Sequence, residues 1–240
     1  MAVNVIRDAK VYLGGRDLTG DMNAVAINYS AEMLDKTTLG DDTRVKVGGL
    51  KGVTCNGEGF FNPATSEGYL FDRIAAVAEP VTIGADGGAA GDLAYIFKAA
   101  MAGYNPGGAV GELMKFSFDA EASDSKLVRA TILHTAAAAT VSGSSAAQNL
   151  GAVAAGQSLY ATLHVPAASA GDTLDVVIES DTVAGFTAPT VRATFAQVTA
   201  TAGEFIVPVA GPITDTYWRI SWTIAGTAPS FDFIATMGIQ

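Results

Sequence analysis

Two histidines, one cysteine and a few carboxylate and glycine clusters are the places where this 240-residue chain could do chemistry. Hydrolysis or group transfer needs a nucleophile, a base and an oxyanion stabiliser within reach of one another. His134 and His164 are the candidate bases, and neither sits in a motif; there is no G-x-S-x-G elbow and no Walker A sequence. His164 falls in the polar phase of its strand, which predicts a solvated or locally hydrogen-bonded imidazole. Gly57-Glu58-Gly59 begins like a dinucleotide loop, but no third glycine opens a helix after it. The segment Gly84 to Asp92 resembles a calcium-binding glycine/aspartate turn; it occurs once, whereas such turns work as stacked arrays. Asp41 and Asp42 are adjacent carboxylates on a turn, an arrangement that is ordinarily solvated. Glu32 and Glu58 could face one another across a hairpin, and a polar sheet face is expected there in preference to an acid–base pair. Cys55 is alone, so no internal disulfide forms, and no Cys/His cluster has zinc spacing. Trp218 and Trp222 could stack on sugars, but they share a strand face with Ile220 and Ile224, which predicts core packing. No catalytic residue, no cofactor and no metal ligand is assigned.

The composition agrees with a non-catalytic reading. Hydrophobic residues make up 49% and charged residues 16%, too apolar for disorder and sparse in charge for a freely diffusing monomer. The formal charge of −10 repels nucleic acid, so a basic binding patch is not expected. Met1 to Asp8 lacks a basic region followed by a long apolar run, so no signal peptide is expected. No stretch of about 18 apolar residues predicts a membrane span.

The elements that must position these residues are mostly strands. Val25, Ile27, Tyr29, Ala31 and Met33 alternate with Ala26, Asn28, Ser30 and Glu32, and Val53 and Cys55 alternate with Thr54, Asn56 and Glu58. This period of two predicts a long hairpin joined by the turn-rich segment Asp35 to Asp42. Gly48, Gly49 and Gly52 predict a bulge or bend in its return strand. Ser66 to Glu79 places Leu70, Ile74 and Val77 on one face, which predicts a helix stopped by Pro80. Further strands are expected after Pro80, near Glu112 to Phe118 and near Leu127 to Leu133. Alternation at Leu159 to Val165, Leu174 to Ile178, Trp218 to Ile224 and Phe231 to Phe233 predicts an antiparallel β-sandwich. The expected class is mainly β, with residues 1–140 forming a half with the hairpin and helix, and 141–240 a second, sandwich-like half.

Two stretches carry a family resemblance. Lys10 to Phe61 includes "YLGGRDLTGD", "LDKTTLGDDTR" and "GGLKGVTCNGEGFF", and Tyr217 to Ile239 includes "RISWTIAGTAPSFDF". Both resemble the major tail tube proteins of long-tailed, non-contractile (siphovirus-type) bacteriophages and related prophages. The resemblance implies a β-sandwich flanked by a helix, in subunits that form rings, usually of six, stacked into a hollow tube. Sheet from every subunit would line the inner wall, and double-stranded DNA would pass through without sequence-specific binding. It further implies a virion-tail location, assembly in the host bacterial cytoplasm, no membrane, and tape measure, tail tip and tail terminator proteins as partners. The other class of function open to such a sequence is a glycan- or receptor-binding sandwich of a tail tip or decoration protein, which exposed aromatics in a groove would favour.

Within the tube reading the hairpin supplies two candidate sites. Asn28, Ser30, Glu32, Thr54, Asn56 and Glu58 form a face without a basic residue and are the expected lumen lining. The tip, formed by Asp35, Lys36, Thr37, Thr38, Leu39, Gly40, Asp41 and Asp42, is the expected contact with a neighbouring ring, because long polar loops are usually kept for a contact.

Overall fold

The computed structural model describes residues 8–240, so the reading of the N-terminal segment lies, but for Asp8, outside the described residues. The strands in chain order begin with β1 (Lys10–Leu13), β2 (Arg16–Asp17), β3 (Met22–Asp35) and β4 (Lys46–Phe60), followed by the short helix α1 (Glu67–Asp72). Next come β5 (Glu79–Gly84), β6 (Leu93–Gly107), β7 (Lys115–Ala122), β8 (Val128–Ala139), β9 (Gly143–Ser144) and β10 (Gln148–Asn149). The remainder is β11 (Ser158–Ala168), β12 (Thr173–Asp181), β13 (Thr190–Thr194), β14 (Ala202–Phe205), β15 (Val209–Ala210), β16 (Tyr217–Ala225) and β17 (Phe231–Ile239). The protein is mainly β and its sheets are antiparallel, as the alternating sequence requires.

Two compact units emerge, and they interleave along the chain. Among the described residues the first comprises 8–20, Ala78–Phe97 and Val128–Gln240; the second comprises Asp21–Val77 and Lys98–Leu127. The expected consecutive halves, 1–140 and 141–240, divide the chain differently.

In the first unit β17 lies between β11 and β8, and the sheet continues from β8 through the start of β6 to β5, β1 and β2. A second sheet, β10-β16-β12-β13 with β9, covers one side. Leu159, Ala161, Leu163 and Val165 of β11 meet Leu174, Val176 and Ile178 of β12, Trp218 and Ile220 of β16, and Phe231 and Phe233 of β17 in one buried cluster. Removing that apolar area from water is the main favourable term for this unit.

The opposite phase of β11 is buried too. His164 Nδ1 lies 2.7 Å from the Gly14 carbonyl and Nε2 lies 2.7 Å from Thr82 Oγ1. Thr82 contacts Thr162 at 2.7 Å, and Thr162 contacts Thr236 at 2.6 Å. A carbonyl only accepts, so Nδ1 donates and Nε2 of the neutral ring accepts from Thr82. Each hydroxyl then accepts from the next, giving one consistent run of donors from Thr236 through Thr162 and Thr82 to His164. The expected solvated or locally hydrogen-bonded histidine is instead fully buried and bonded to residues 150 and 82 positions away, because the sheet curls until β11 comes beside β5 and β2. Gly203 of β14 makes this closure possible, since a Cβ there would stand 2.3 Å from the Gly14 backbone.

The second unit is a four-stranded sheet in the order β3-β4-β7, then residues 99–107 of β6. Val53, Cys55, Met101, Phe116, Phe118 and Ala120 are buried on one face. Burial pushes the Cys55 thiol up to about 12, so it packs as a small apolar group.

The helix departs from expectation. It covers Glu67–Asp72, not Ser66 to Glu79, and buries Leu70, while Ile74 and Val77 stay exposed. Ala75 and Ala78 adopt φ of 66°, which a right-handed helix cannot contain. Backbone bonds from Ala75 N to Met101 O and from Met101 N to Ala76 O take the place of helical ones, so after a run of turns the segment is tied to β6. The strands expected near Glu112 to Phe118 and Leu127 to Leu133 are present as β7 and β8, shifted toward the C-terminus.

Candidate assembly surface

The sheet of the second unit turns a polar face outward. Thr54 pairs with Asn28 and Glu121, Asn56 with Ala26 and Asp119, and Glu58 with Ala24 and Ser117. Directly paired residues share a face, so Asn28, Thr54, Asn56 and Glu58 join Ser117, Asp119 and Glu121. The Asn56 amide donates to Asp119. Asp119 and Glu121 escaped the sequence reading; the alternation of Phe116, Phe118 and Ala120 with Ser117, Asp119 and Glu121 was the signal. Among the paired positions of this face the basic residue is Lys115, at the end beside Phe60.

Ser30 and Glu32 continue the same phase of β3 but lie farther out. Glu32 stands beside Gly49, whose added Cβ would meet it at 3.3 Å, while Glu58 is level with Ala24. Eight residues of strand, roughly 27 Å, separate those levels, so the two glutamates do not face one another. The pairing slips between Ala31 and Met33, where β4 carries an extra residue at Gly49–Leu50, which is the bulge the glycines predicted.

Beyond Thr54, β4 pairs with β3 alone among the described residues, so Tyr29–Asp35 and Lys46–Val53 form a two-stranded arm. An isolated hairpin is marginal in water, and this one exposes Tyr29, Met33, Leu34, Val45, Val47 and Leu50. The other end of the second unit exposes Val110, Leu113 and Met114, and Phe71, Ile74 and Val77 follow the same trend. Among the described residues of the first unit the exposed large hydrophobics are four valines, Val141, Val183, Val191 and Val207. The apolar surface is therefore concentrated on one unit, the pattern of an interaction surface.

The tip between β3 and β4 is braced by its own side chains. Asp35 accepts from the Thr37 amide at 2.9 Å and pairs with Lys46 at 3.2 Å. Asp41 accepts from the Thr38 amide at 2.7 Å and its hydroxyl at 2.9 Å. The Thr37 hydroxyl and amide hold the Asp35 carboxyl below the ordinary 3.8, with Lys46 adding to it, and the Thr38 amide and hydroxyl do the same for Asp41. Depressed carboxyl values stabilise the tip above the ordinary value, and that support is lost as pH falls through the lower folded values. Amide exchange of residues 36–45, corrected for intrinsic rate, is therefore expected to quicken as pH falls below the ordinary carboxyl value of 3.8. Asp35→Asn/Asp41→Asn should show the same loose tip at pH 7; unchanged exchange in that variant would refute the bracing role.

The other chemical candidates resolve into structure. His134 stacks on Phe233 at 4.5 Å and meets Trp222 at 4.8 Å, its Nε2 has no hydrogen-bond partner, and burial lowers its pKa. Trp218 is fully buried and donates to the Gly151 carbonyl at 2.8 Å; Trp222 is half-buried against His134 and Phe233. The aromatic pair thus belongs to packing and presents no open stacking platform. In the Gly84 to Asp92 loop, Asp92 accepts from the Ala89 amide at 2.8 Å. Among the described residues no group of three or more His, Cys, Asp or Glu side chains is arranged to hold a metal, and no helix is long and apolar enough to cross a membrane.

Fold and surface together define an antiparallel β protein with a hairpin arm and with most of its exposed large hydrophobic residues on one of its units. No protein-family model matches the chain, and no curated protein matches it. Solved structures overlap it loosely. A chain of the virion of a native gene transfer agent particle has a TM-score of 0.41 and 14% identity, covering 52% of this chain and 98% of that one. The Dit hub protein of phage SPP1 has a TM-score of 0.39 and 14% identity, covering 98% and 100%. A chain of the sheath–tube complex of the extracellular contractile injection system PVC has a TM-score of 0.41 and 15% identity, covering 52% and 90%.

Proposed function

We propose that this chain is a structural subunit that assembles with copies of itself into the hollow tail tube of a long-tailed phage or phage-like particle, the channel for double-stranded DNA. The observation that carries the reading is the free arm, whose exposed apolar residues have no cover within the subunit. The tail-tube resemblance of Lys10 to Phe61 and Tyr217 to Ile239 points the same way, and six copies per ring is the number it implies.

Sheet geometry supports ring closure. β3 is unpaired on the side away from β4, and beyond Met101 the outer edge of β6 pairs with no strand among the described residues. The four strands alternate in direction, so β3 of one copy set beside β6 of the next is antiparallel without rearrangement. Repetition of that contact closes a ring and removes the edges that otherwise invite uncontrolled pairing. The polar face with Glu58, Asp119 and Glu121 then supplies the lumen lining, where carboxylates keep phosphates from adhering.

The role is structural and needs no cofactor. Electron microscopy of the parent particle with mass spectrometry tests it, and absence of this chain from the tail shaft would end the proposal. A sharper variant replaces Thr37 to Asp41 with a short Gly/Ser turn. The subunit should stay folded, because the tip's hydrogen bonds are internal, yet fail to extend tubes. Tails of normal length from that variant would remove the tip from the ring-to-ring contact.

A further inference from the structure

Resting on the self-assembly reading, we infer that the distal arm is clamped on both faces, entering a cleft between two other copies of this chain instead of lying on one. Pairing fixes which side chains share a face. Leu34 is opposite Val47, and Lys36 donates its amide to Val45, so Leu34, Val47 and Val45 lie together. Met33 is opposite Gly48 and shares the other face with the Asp35–Lys46 pair, 3.2 Å apart, and with Tyr29. Lys51 lies over the Tyr29 ring at 5.9 Å, as residues on one face should.

Each face thus exposes apolar side chains among polar ones: Leu34 is 48% and Val47 45% exposed on one side, beside Ser30, Glu32 and Lys36, and Met33 is 63% and Tyr29 41% exposed on the other, beside Lys51 and the Asp35–Lys46 pair. A ribbon built to lie on one surface would gather its apolar residues on a single face. Area gives the same answer. Seven residue pairs at about 3.4 Å, on two strands about 4.8 Å apart, make a face of roughly 240 Å². A stable interface takes about 800 Å² from each partner; one face supplies under a third of that, both together about 60%, and the exposed apolar residues elsewhere in the same unit have to supply the remainder. A second copy is the fitting occupant because the chain's own surplus apolar surface lies in the same unit, and the arm carries both signs of charge, Glu32 and Asp35 with Lys46 and Lys51, which suits neither a strongly basic nor a strongly acidic partner.

The test changes one face at a time. Met33→Asp and Val47→Asp alter exposed residues, so the thermal melt of each subunit should match the unmodified protein. Each alone is expected to reduce sedimentable tubes, nucleated on purified tail tips, at least tenfold. If either variant assembles like the unmodified protein, the arm is held on a single face and the inference falls. A photo-reactive phenylalanine at positions 33 and 47 of the same chain, diluted into unlabelled protein, should yield crosslinked trimers; dimers alone would overturn the clamp. Failure of the unmodified chain to assemble, with its absence from tail shafts, would instead remove the tube proposal itself.

Discussion

Glu58→Lys/Glu121→Lys is expected to leave tubes intact and slow DNA ejection through them by about tenfold or more at low salt. Both residues are exposed on the polar face, and neither makes a recorded hydrogen bond or ion pair that the substitution would break. Along that face the charged groups are Glu58, Asp119 and Glu121, with Lys115 at one end. In the proposed tube, two lysines per subunit would convert a repelling ring into one that holds phosphates by counterion release, so the slowing should fade as salt rises and the Debye length falls below about 8 Å. Ejection measured across a salt series is the readout. Ejection at the unmodified rate at every salt concentration would place this face away from the channel.

Acid is expected to destabilise the first unit through His164. Burial lowers its pKa from 6.5 to about 4, against smaller opposing contributions from the Gly14 carbonyl and Asp17. The folded imidazole stays neutral while the unfolded chain takes up a proton below its ordinary value, so between about 6.5 and 4 the unfolded state binds more protons. Stability is then complete above that window and falls by roughly 3 kcal/mol as pH drops through it. His164→Leu should lose about 2–4 kcal/mol at pH 7, because the Gly14 carbonyl and the Thr82 hydroxyl lose their partner inside the sheet. The same variant should lack this part of the pH dependence. Urea midpoints of both proteins at pH 7 and pH 4.5 decide it; parallel acid losses in the two would show that His164 is not the responsible group.

Alternation made much of the fold legible in the sequence. The hairpin, its glycine-marked bulge and the β11, β12, β16 and β17 strands all follow from residues that alternate between a buried and a wetter face. The helix was overextended because Leu70, Ile74 and Val77 have helical spacing, and spacing alone does not reveal that Met101 offers backbone partners to Ala75 and Ala76. Strand β6 went unread. Ile96 and Phe97 are both buried, so the alternation changes phase where the chain passes from one unit to the other. The polar side of β11 was read as wet because nothing local shows that β5 and the β1–β2 turn will cover it. Half of the candidate lumen face was visible in the hairpin; the other half, on β7, needed the register.

The place of β17 has a consequence for how the chain is made. It follows every other strand in sequence, yet it lies between β11 and β8 in the middle of its sheet. Until it emerges from the ribosome, β8 and β11 have no strand between them, and the first unit waits with its core open. The second unit needs nothing beyond Leu127. Synthesis therefore completes the unit with most of the exposed apolar residues before the first unit can close, over contacts such as His164 with Gly14 that span 150 residues. Folding dominated by such distant pairings is slow and exposed to aggregation.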